Sequence, residues 1–268
     1  VTVAYVEADG ARLWYEVAGS GPGVAFLHPG LWDLRTWDDQ FGVFAERFRV
    51  LRHDARGYGR SSRPEPGRAY SHVDDLATVM DEAGLESAAL IGCSMGGAIA
   101  VDFALTHPGR TTALVLVATA LHGFDETQEE EAAYADLGRE VEAVTEAGDL
   151  ERSMDLELGV WAALGTDDER GGRIRRIAMD NLHERTMDES AQVRLDPPAS
   201  DRLEEIACPT LVLPADHDPP VMRRIAHEIA QRVPNARLVE IPNTDHVLNM
   251  RRPDEFNRVV LAFLEEVT

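Results

Sequence analysis

The sequence predicts an α/β protein: a mostly parallel sheet of about eight strands, opened by an antiparallel hairpin, covered by helices on both faces and carrying an inserted helical lid. Three observations predict it. Apolar runs of strand length alternate with longer segments of helical periodicity through both ends of the 268-residue chain. The first two runs are joined by Asp9-Gly10, a hairpin turn signal, whereas most later runs are separated by helix-length segments, as parallel strands require. Between about residues 121 and 200 the alternation stops and only helical character remains.

Taken in order, residues 3–7 and 12–17 read as the hairpin strands and 23–27 as a third strand, ending at His28-Pro29-Gly30. Gly19, Gly21 and Gly23 precede that strand instead of following it, the wrong side for a dinucleotide fingerprint, and read as a turn. A helix around 37–48 leads to a strand at 49–53, then a loop at 54–61 and a helix over 72–83. Residues 87–91 form a mostly apolar strand directly before Gly92-Cys93-Ser94-Met95-Gly96, and 97–105 a helix with a wide apolar face directly after it. The Val- and Leu-rich stretch 112–118 is a buried strand. Past the interruption, Pro209 introduces a strand at 210–213, followed by a helix over 221–233, a strand at 236–241 and a closing helix over 254–267.

This divides the chain into a core over 1–120, a lid over 121–200 and a second part of the core over 201–268. The interrupting segment is too long for a plain connection in a compact domain. Its acidic run Glu129-Glu130-Glu131 reads as a solvated helix face, and Trp161, Met179, Leu182 and Met187 are candidates for its underside. At 44% hydrophobic and 28% charged residues the composition is that of a globular chain, and two cysteines are too few for a disulfide scaffold. Net charge is −22, and all 26 basic residues are arginine. A field of that sign disfavours nucleic acid and anionic membranes as partners. The lack of lysine excludes Schiff-base chemistry, a pyridoxal-phosphate anchor and a P-loop. With no basic start followed by an apolar run, and no apolar stretch of membrane-spanning length, the expected location is the cytoplasm; monomer and homodimer both stay open.

A G-x-S-x-G between a strand and a helix is the pattern of a nucleophile elbow. The chain turns so sharply at Ser94 that side chains at Gly92 or Gly96 would collide with neighbouring backbone, and the hydroxyl stands above the sheet beside a helix N-terminus. Cys93, within the turn, is expected to point into the core. A serine needs a base, and the base needs an orienting acid. In an elbow these follow in the order serine, acid, histidine, on loops after later strands. The loop after 210–213 is Pro214-Ala215-Asp216-His217-Asp218-Pro219-Pro220, and the loop after 236–241 holds His246 as its only histidine. His246 is therefore the expected base. Either aspartate can be the acid; Asp218 is preferred because the two prolines after it fix the chain. Asp216-His217-Asp218 lacks a matching His/Cys cluster, so no metal site is expected.

With these motifs the chain resembles the α/β-hydrolase fold superfamily, in particular its lid-bearing esterase, enol-lactonase and cofactor-free haloperoxidase branch. The resemblance is carried by Phe26-Leu27-His28-Pro29-Gly30 leading to Trp37, by Asp54-x-Arg56-Gly57-x-Gly59-x-Ser61, by Gly92-Cys93-Ser94-Met95-Gly96-Gly97, by Pro209-Thr210-Leu211-Val212 leading to Asp218, and by Thr244-Asp245-His246. It implies a Ser94–His246–Asp218 triad, no cofactor, and an oxyanion hole formed by the N–H of Met95 and of Gly30, with that of Leu31 as the fallback. Leu31, Trp161 and Met187 are the expected substrate contacts. Where the family usually has glycine after the first-motif histidine, this chain has Pro29, which has no N–H to donate and a fixed φ. His28 is expected to organise that loop, not to act as the base.

The implied reaction is cleavage of a small-molecule ester or lactone through an acyl-enzyme. A dehalogenase is disfavoured because that chemistry puts aspartate where Ser94 stands. Three rival readings stay open: hydrolysis of carbon–carbon bonds in β-diketone-like substrates, perhydrolase or haloperoxidase-type activity, and a low-turnover ligand receptor on the same fold. The acidic field favours a neutral substrate, unless one of Arg173, Arg175, Arg176, Arg185 and Arg194 faces the pocket and clamps a carboxylate.

Overall fold

The computed structural model, which describes residues 1–267, resolves the alternation into one eight-stranded sheet. Its strands are β1 (Thr2–Ala8), β2 (Ala11–Ala18), β3 (Gly23–Leu27), β4 (Arg49–His53), β5 (Ala88–Cys93), β6 (Thr111–Val117), β7 (Thr210–Leu213) and β8 (Ala236–Leu238). The helices are α1 (Asp38–Phe44), α2 (His72–Glu82), α3 (Met95–Thr106), α4 (Gln128–Glu146), α5 (Leu150–Trp161), α6 (Glu169–Met179), α7 (Pro220–Arg232), α8 (Leu248–Arg251) and α9 (Pro253–Val267). Strands lie in the order β1-β2-β4-β3-β5-β6-β7-β8. β1 and β2 pair antiparallel through Asp9 and Gly10, both at positive φ, the geometry a two-residue hairpin turn needs. β2 meets β4 antiparallel, and every later pairing is parallel.

Two apolar layers sandwich the sheet, and the period-two alternation of the strands sorts residues between them. On β3, Ala25 and Leu27 face a layer that includes Val79, Met80, Phe103 and Ile229 of α2, α3 and α7. Val24 and Phe26 face the other, with Phe41, Phe44, Phe256 and Phe263 of α1 and α9. β5 and most of β6 are buried on both faces, which is why they read as unbroken apolar runs.

α4, α5 and α6 fall between β6 and β7, within the interval where the alternation stops. Each begins at a side-chain cap: Thr127 in a reciprocal capping box with Glu130, then Asp149 and Asp168. Met154, Leu158, Ile174, Ile177 and Ala178 form a third apolar cluster with Leu31, Trp32, Val247 and Met250, so α5 and α6 sit on the chain segments that follow the carboxyl ends of the strands. Buried Asn181 reaches across as well, donating to Asp33 Oδ2 (2.8 Å) and accepting from the Gly59 N–H (2.8 Å). Among the described residues no helix is long and apolar enough to cross a membrane.

Candidate active site

β5 ends at Cys93 and α3 begins at Met95, so Ser94 alone makes the turn, at φ 51° and ψ −116°. Such a conformation costs a non-glycine residue on the order of 1–3 kcal/mol and persists only where its surroundings enforce it. Here they do. A Cβ at Gly92 would meet the Gly96 carbonyl, and one at Gly96 would meet the Leu27 carbonyl. The Ser94 N–H donates to Val117 O (3.0 Å), and Ser94 O accepts from the N–H groups of Ala98 (3.0 Å) and Ala120 (3.2 Å), which tie the turn to α3 and to the chain after β6. The first N–H groups of α3, Met95 among them, have no intrahelical acceptor and gather positive potential beside the serine.

His246 and Asp218 come together on the loops after β8 and β7. His246 Nδ1 lies 3.0 Å and 3.2 Å from the two Asp218 oxygens, and both side chains are almost wholly shielded from water. An Nδ1–H donated to the carboxylate leaves Nε2 with its lone pair. Asp216 has a different task. Its carboxylate accepts the N–H groups of Asn243 (2.9 Å) and Thr244 (2.8 Å), and the His217 N–H donates to Thr244 O (3.0 Å), lacing the acid loop to the histidine loop. Burial works against the Asp216 charge, but those N–H donors outweigh it and hold the carboxyl below its ordinary range. Fully buried Cys93 donates its thiol to His246 O (3.3 Å); burial first, then the Asp218 and Asp245 carboxylates, push that thiol well up and keep it neutral.

Ser94 and His246 line one cavity of about 180 Å³, with Gly30, Leu31, Trp32, Met95 and Trp161 as its other walls. Of the residues expected at the site from sequence, Met187 alone stands apart from both the cavity and the buried pair. It packs against Gly57 instead, because the chain after Asn181 is drawn towards the 54–61 loop. Trp32 was not expected; its signal was its place on the same loop, two residues after Gly30. Its indole N–H donates to Ile174 O (3.0 Å) and so joins the cavity wall to α6. Trp161 lies over the His246 ring with centroids 4.5 Å apart.

The loop with Pro29 keeps its donors free. Among the described residues neither the Gly30 nor the Leu31 N–H has a hydrogen-bond partner, and Leu31 takes the strained φ of +67°. His28 holds the loop from below: Nδ1 donates to Pro29 O (2.7 Å) and Nε2 accepts the Ala55 N–H (2.9 Å). Burial lowers its pKa despite the opposing pull of Pro29 O and Asp33, so the ring is neutral with both nitrogens occupied. Arg173, Arg175 and Arg185 are likewise committed, to Asp38 and Asp39, to Asp155, and to Glu157 and Glu184. The arrangement brings together a serine hydroxyl at a helix N-terminus, a histidine oriented by a buried carboxylate and unpaired backbone donors, the parts that acyl transfer uses. Among the described residues no cluster of three or more His, Cys, Asp or Glu is placed to hold a metal ion.

Comparison with known proteins shows the family to which the fold belongs. Residues 26–253 match the model of the alpha/beta hydrolase fold family. The chain is 29% identical to a non-heme haloperoxidase of Rhodococcus erythropolis, over 96% of this chain and 97% of that one. Among solved structures it resembles an N-acyl homoserine lactone degrading enzyme (27% identity, TM-score 0.72, 97% of this chain and 100% of that one). It also resembles the enol-lactonase of Burkholderia xenovorans LB400 (25% identity, TM-score 0.68, 98% and 100% covered).

Proposed function

The chain belongs to the α/β-hydrolase fold family, and from that premise we propose that it is a serine hydrolase cleaving a neutral carboxylic ester or lactone through an acyl-enzyme. One observation carries the reading: the strained Ser94 and the Asp218-paired His246 share the wall of a single small cavity. The lactone-cleaving neighbours support the substrate class. Residues 121–200 act as the lid over that cavity.

In the first half-reaction Ser94 Oγ attacks the carbonyl carbon while His246 Nε2 takes the hydroxyl proton. Asp218 keeps Nδ1 protonated and stabilises the imidazolium that forms. The tetrahedral oxyanion is held by the N–H groups of Met95 and Gly30, each worth roughly 3 kcal/mol of barrier by analogy with single oxyanion donors elsewhere. The leaving oxygen receives the proton from His246, and the acyl group stays on Ser94. Water, deprotonated by the same nitrogen, then attacks the acyl-enzyme; collapse breaks the Ser94 ester and returns the proton to Oγ.

A fluorophosphonate probe and a panel of p-nitrophenyl esters and lactones test this directly. Labelling should fall on Ser94, and Ser94→Ala should lose labelling together with about 10⁴-fold or more of kcat while keeping its circular dichroism. A Ser94→Ala protein with a tenth of wild-type turnover refutes the reading.

A further inference from the structure

The indole of Trp161 is a wall of two cavities. One is the cavity at Ser94; the second, of about 190 Å³, is lined by Leu137, Gly138, Val141 and Val160 of α4 and α5 and by Pro219 and Val221 just after Asp218. Neither reaches the roughly 300 Å³ at which small-molecule pockets begin, but the two together do. Trp161 is held between them. Its Nε1–H donates to Glu157 Oε2 (2.9 Å), and Glu157 Oε1 accepts from Arg185 (3.1 Å).

The second cavity lies on the histidine side of the reaction centre. It borders the residue following Asp218, and Trp161, which it shares, rests over the His246 ring. In ester cleavage the leaving oxygen is the one that takes the proton from the histidine, so the alcohol half of the substrate must lie on that side. Most of the walls are apolar, and the charged groups among them, Glu126 and Glu157, are acidic. That lining suits an uncharged hydrocarbon chain and opposes a carboxylate.

We propose that the second cavity is the leaving-group compartment, taking the apolar chain of the alcohol, and that Trp161 sets how much of that chain can enter. The assignment rests on the serine-hydrolase reading. Trp161 is thereby a specificity-determining residue, and the favoured substrates are esters of aliphatic alcohols longer than the cavity at Ser94 alone can hold.

Two ester series test it: acetates of alcohols from ethyl to octyl, followed by acid release, and p-nitrophenyl esters with acyl chains from acetyl to octanoyl. Trp161→Ala removes the side chain that limits entry to the second cavity, and each methylene newly buried there is worth about fourfold. The kcat/KM ratio of hexyl over ethyl acetate should then rise at least about tenfold, with the acyl-series profile keeping its shape. Gly138→Met works in the opposite direction. Gly138 lines the compartment, no atom lies within 4 Å of where its Cβ would stand, and methionine favours the helix, so the longer side chain is accommodated at the compartment's wall and narrows it. It should lower the same ratio, and it decides the matter alone if Trp161→Ala fails to fold. A profile that moves in the acyl series instead, or an alcohol ratio that neither variant moves, overturns the assignment. A wild-type enzyme that takes no fluorophosphonate and cleaves neither series refutes the underlying hydrolase reading instead, so the two failures are distinguishable.

Discussion

Exchanging each aspartate of the acid loop for asparagine separates orientation of the histidine from lacing of the loops. In Asp218→Asn an amide replaces the carboxylate 3.0 Å from His246 Nδ1, in a place where both side chains are almost wholly shielded from water. An amide NH₂ turned towards the ring makes Nδ1 the acceptor and leaves the proton on Nε2, where it blocks abstraction from Ser94. In a serine protease the equivalent change lowers kcat by about 10⁴, or about 5.5 kcal/mol of barrier, and the same shielding here predicts a similar loss. Asp216→Asn keeps one of its two bonds to the Asn243 and Thr244 N–H groups and gives up the other at an exposed position, roughly 1 kcal/mol of stability. Its kcat/KM on p-nitrophenyl acetate should stay within about tenfold of wild type, the difference expected if the loops merely loosen. Steady-state kinetics and thermal melts on both variants decide it. If Asp216→Asn proved the slower enzyme, the roles given to the two carboxylates would be reversed.

Three further outcomes are expected. Asp245, wholly buried, accepts three bonds of 3.1 Å or less from Arg251 and one from the Leu164 N–H, so Arg251→Met strands a buried charge. A loss of about 3–5 kcal/mol, or on the order of 10 °C in Tm, should appear by calorimetry, and an unchanged Tm would show that the pair carries no load. His53 is held down to about 3 by burial first and by His28 and His72 next, whereas the unfolded chain takes up that proton near 6.5, so the stability it supplies is full above about 6.5 and is lost as pH falls towards 3. His53→Leu should therefore lose about 2 kcal/mol less than wild type between pH 7 and 5 in urea melts; equal losses would contradict the linkage. For substrate charge, a neutral ester should exceed its carboxylate-bearing analogue in kcat/KM, and an anionic preference that survives high salt would require a free arginine in the site.

What the sequence disclosed and what it hid divide along physical lines. The strand, turn and helix around Ser94 were legible because every constraint there is local: glycines where a Cβ would clash, and apolar residues before and after. The hairpin was legible for the same reason, through Asp9-Gly10. Element ends were harder. The helix read over 37–48 starts as a 3-10 turn at Leu34, capped by Asp33, and its α-helical part closes at Phe44. The strand read over 236–241 pairs only across Ala236–Leu238, because β7 beside it is four residues long; one further bond, Val239 N–H to Val212 O, ends the ladder. At the site, chain order marks Asp218 and His246 without telling how the loops carrying them are held. That task falls to Asp216, Asp245 and Arg251, whose partners are fixed by the folded loops. Met187 and Trp32 changed places relative to the cavity for a similar reason: a contact between Asn181 and residues more than a hundred positions away has no local signature.

The inserted helices are fastened at two borders of the cavity and are freer elsewhere. Beside Gly30, Trp32 bonds to the backbone of α6, and Asn181 joins Asp33 to Gly59. Beside His246, the chain just after Trp161 is clamped by Asp245 through the Leu164 N–H and by Arg251 through Gly165 O (2.8 Å). Those ties fix α6 and the end of α5, and with them the walls nearest Ser94. α4 is different: of its 19 residues only Glu130 and Val141 are buried, and its bonds to α7 run through Glu130 and Arg224 near its first turn. Substitutions on its inner side therefore meet few constraints from the core. The second cavity lies against this lightly tied helix, so under the proposed function the walls nearest Ser94 are rigidly held while the proposed alcohol compartment is the part most open to change.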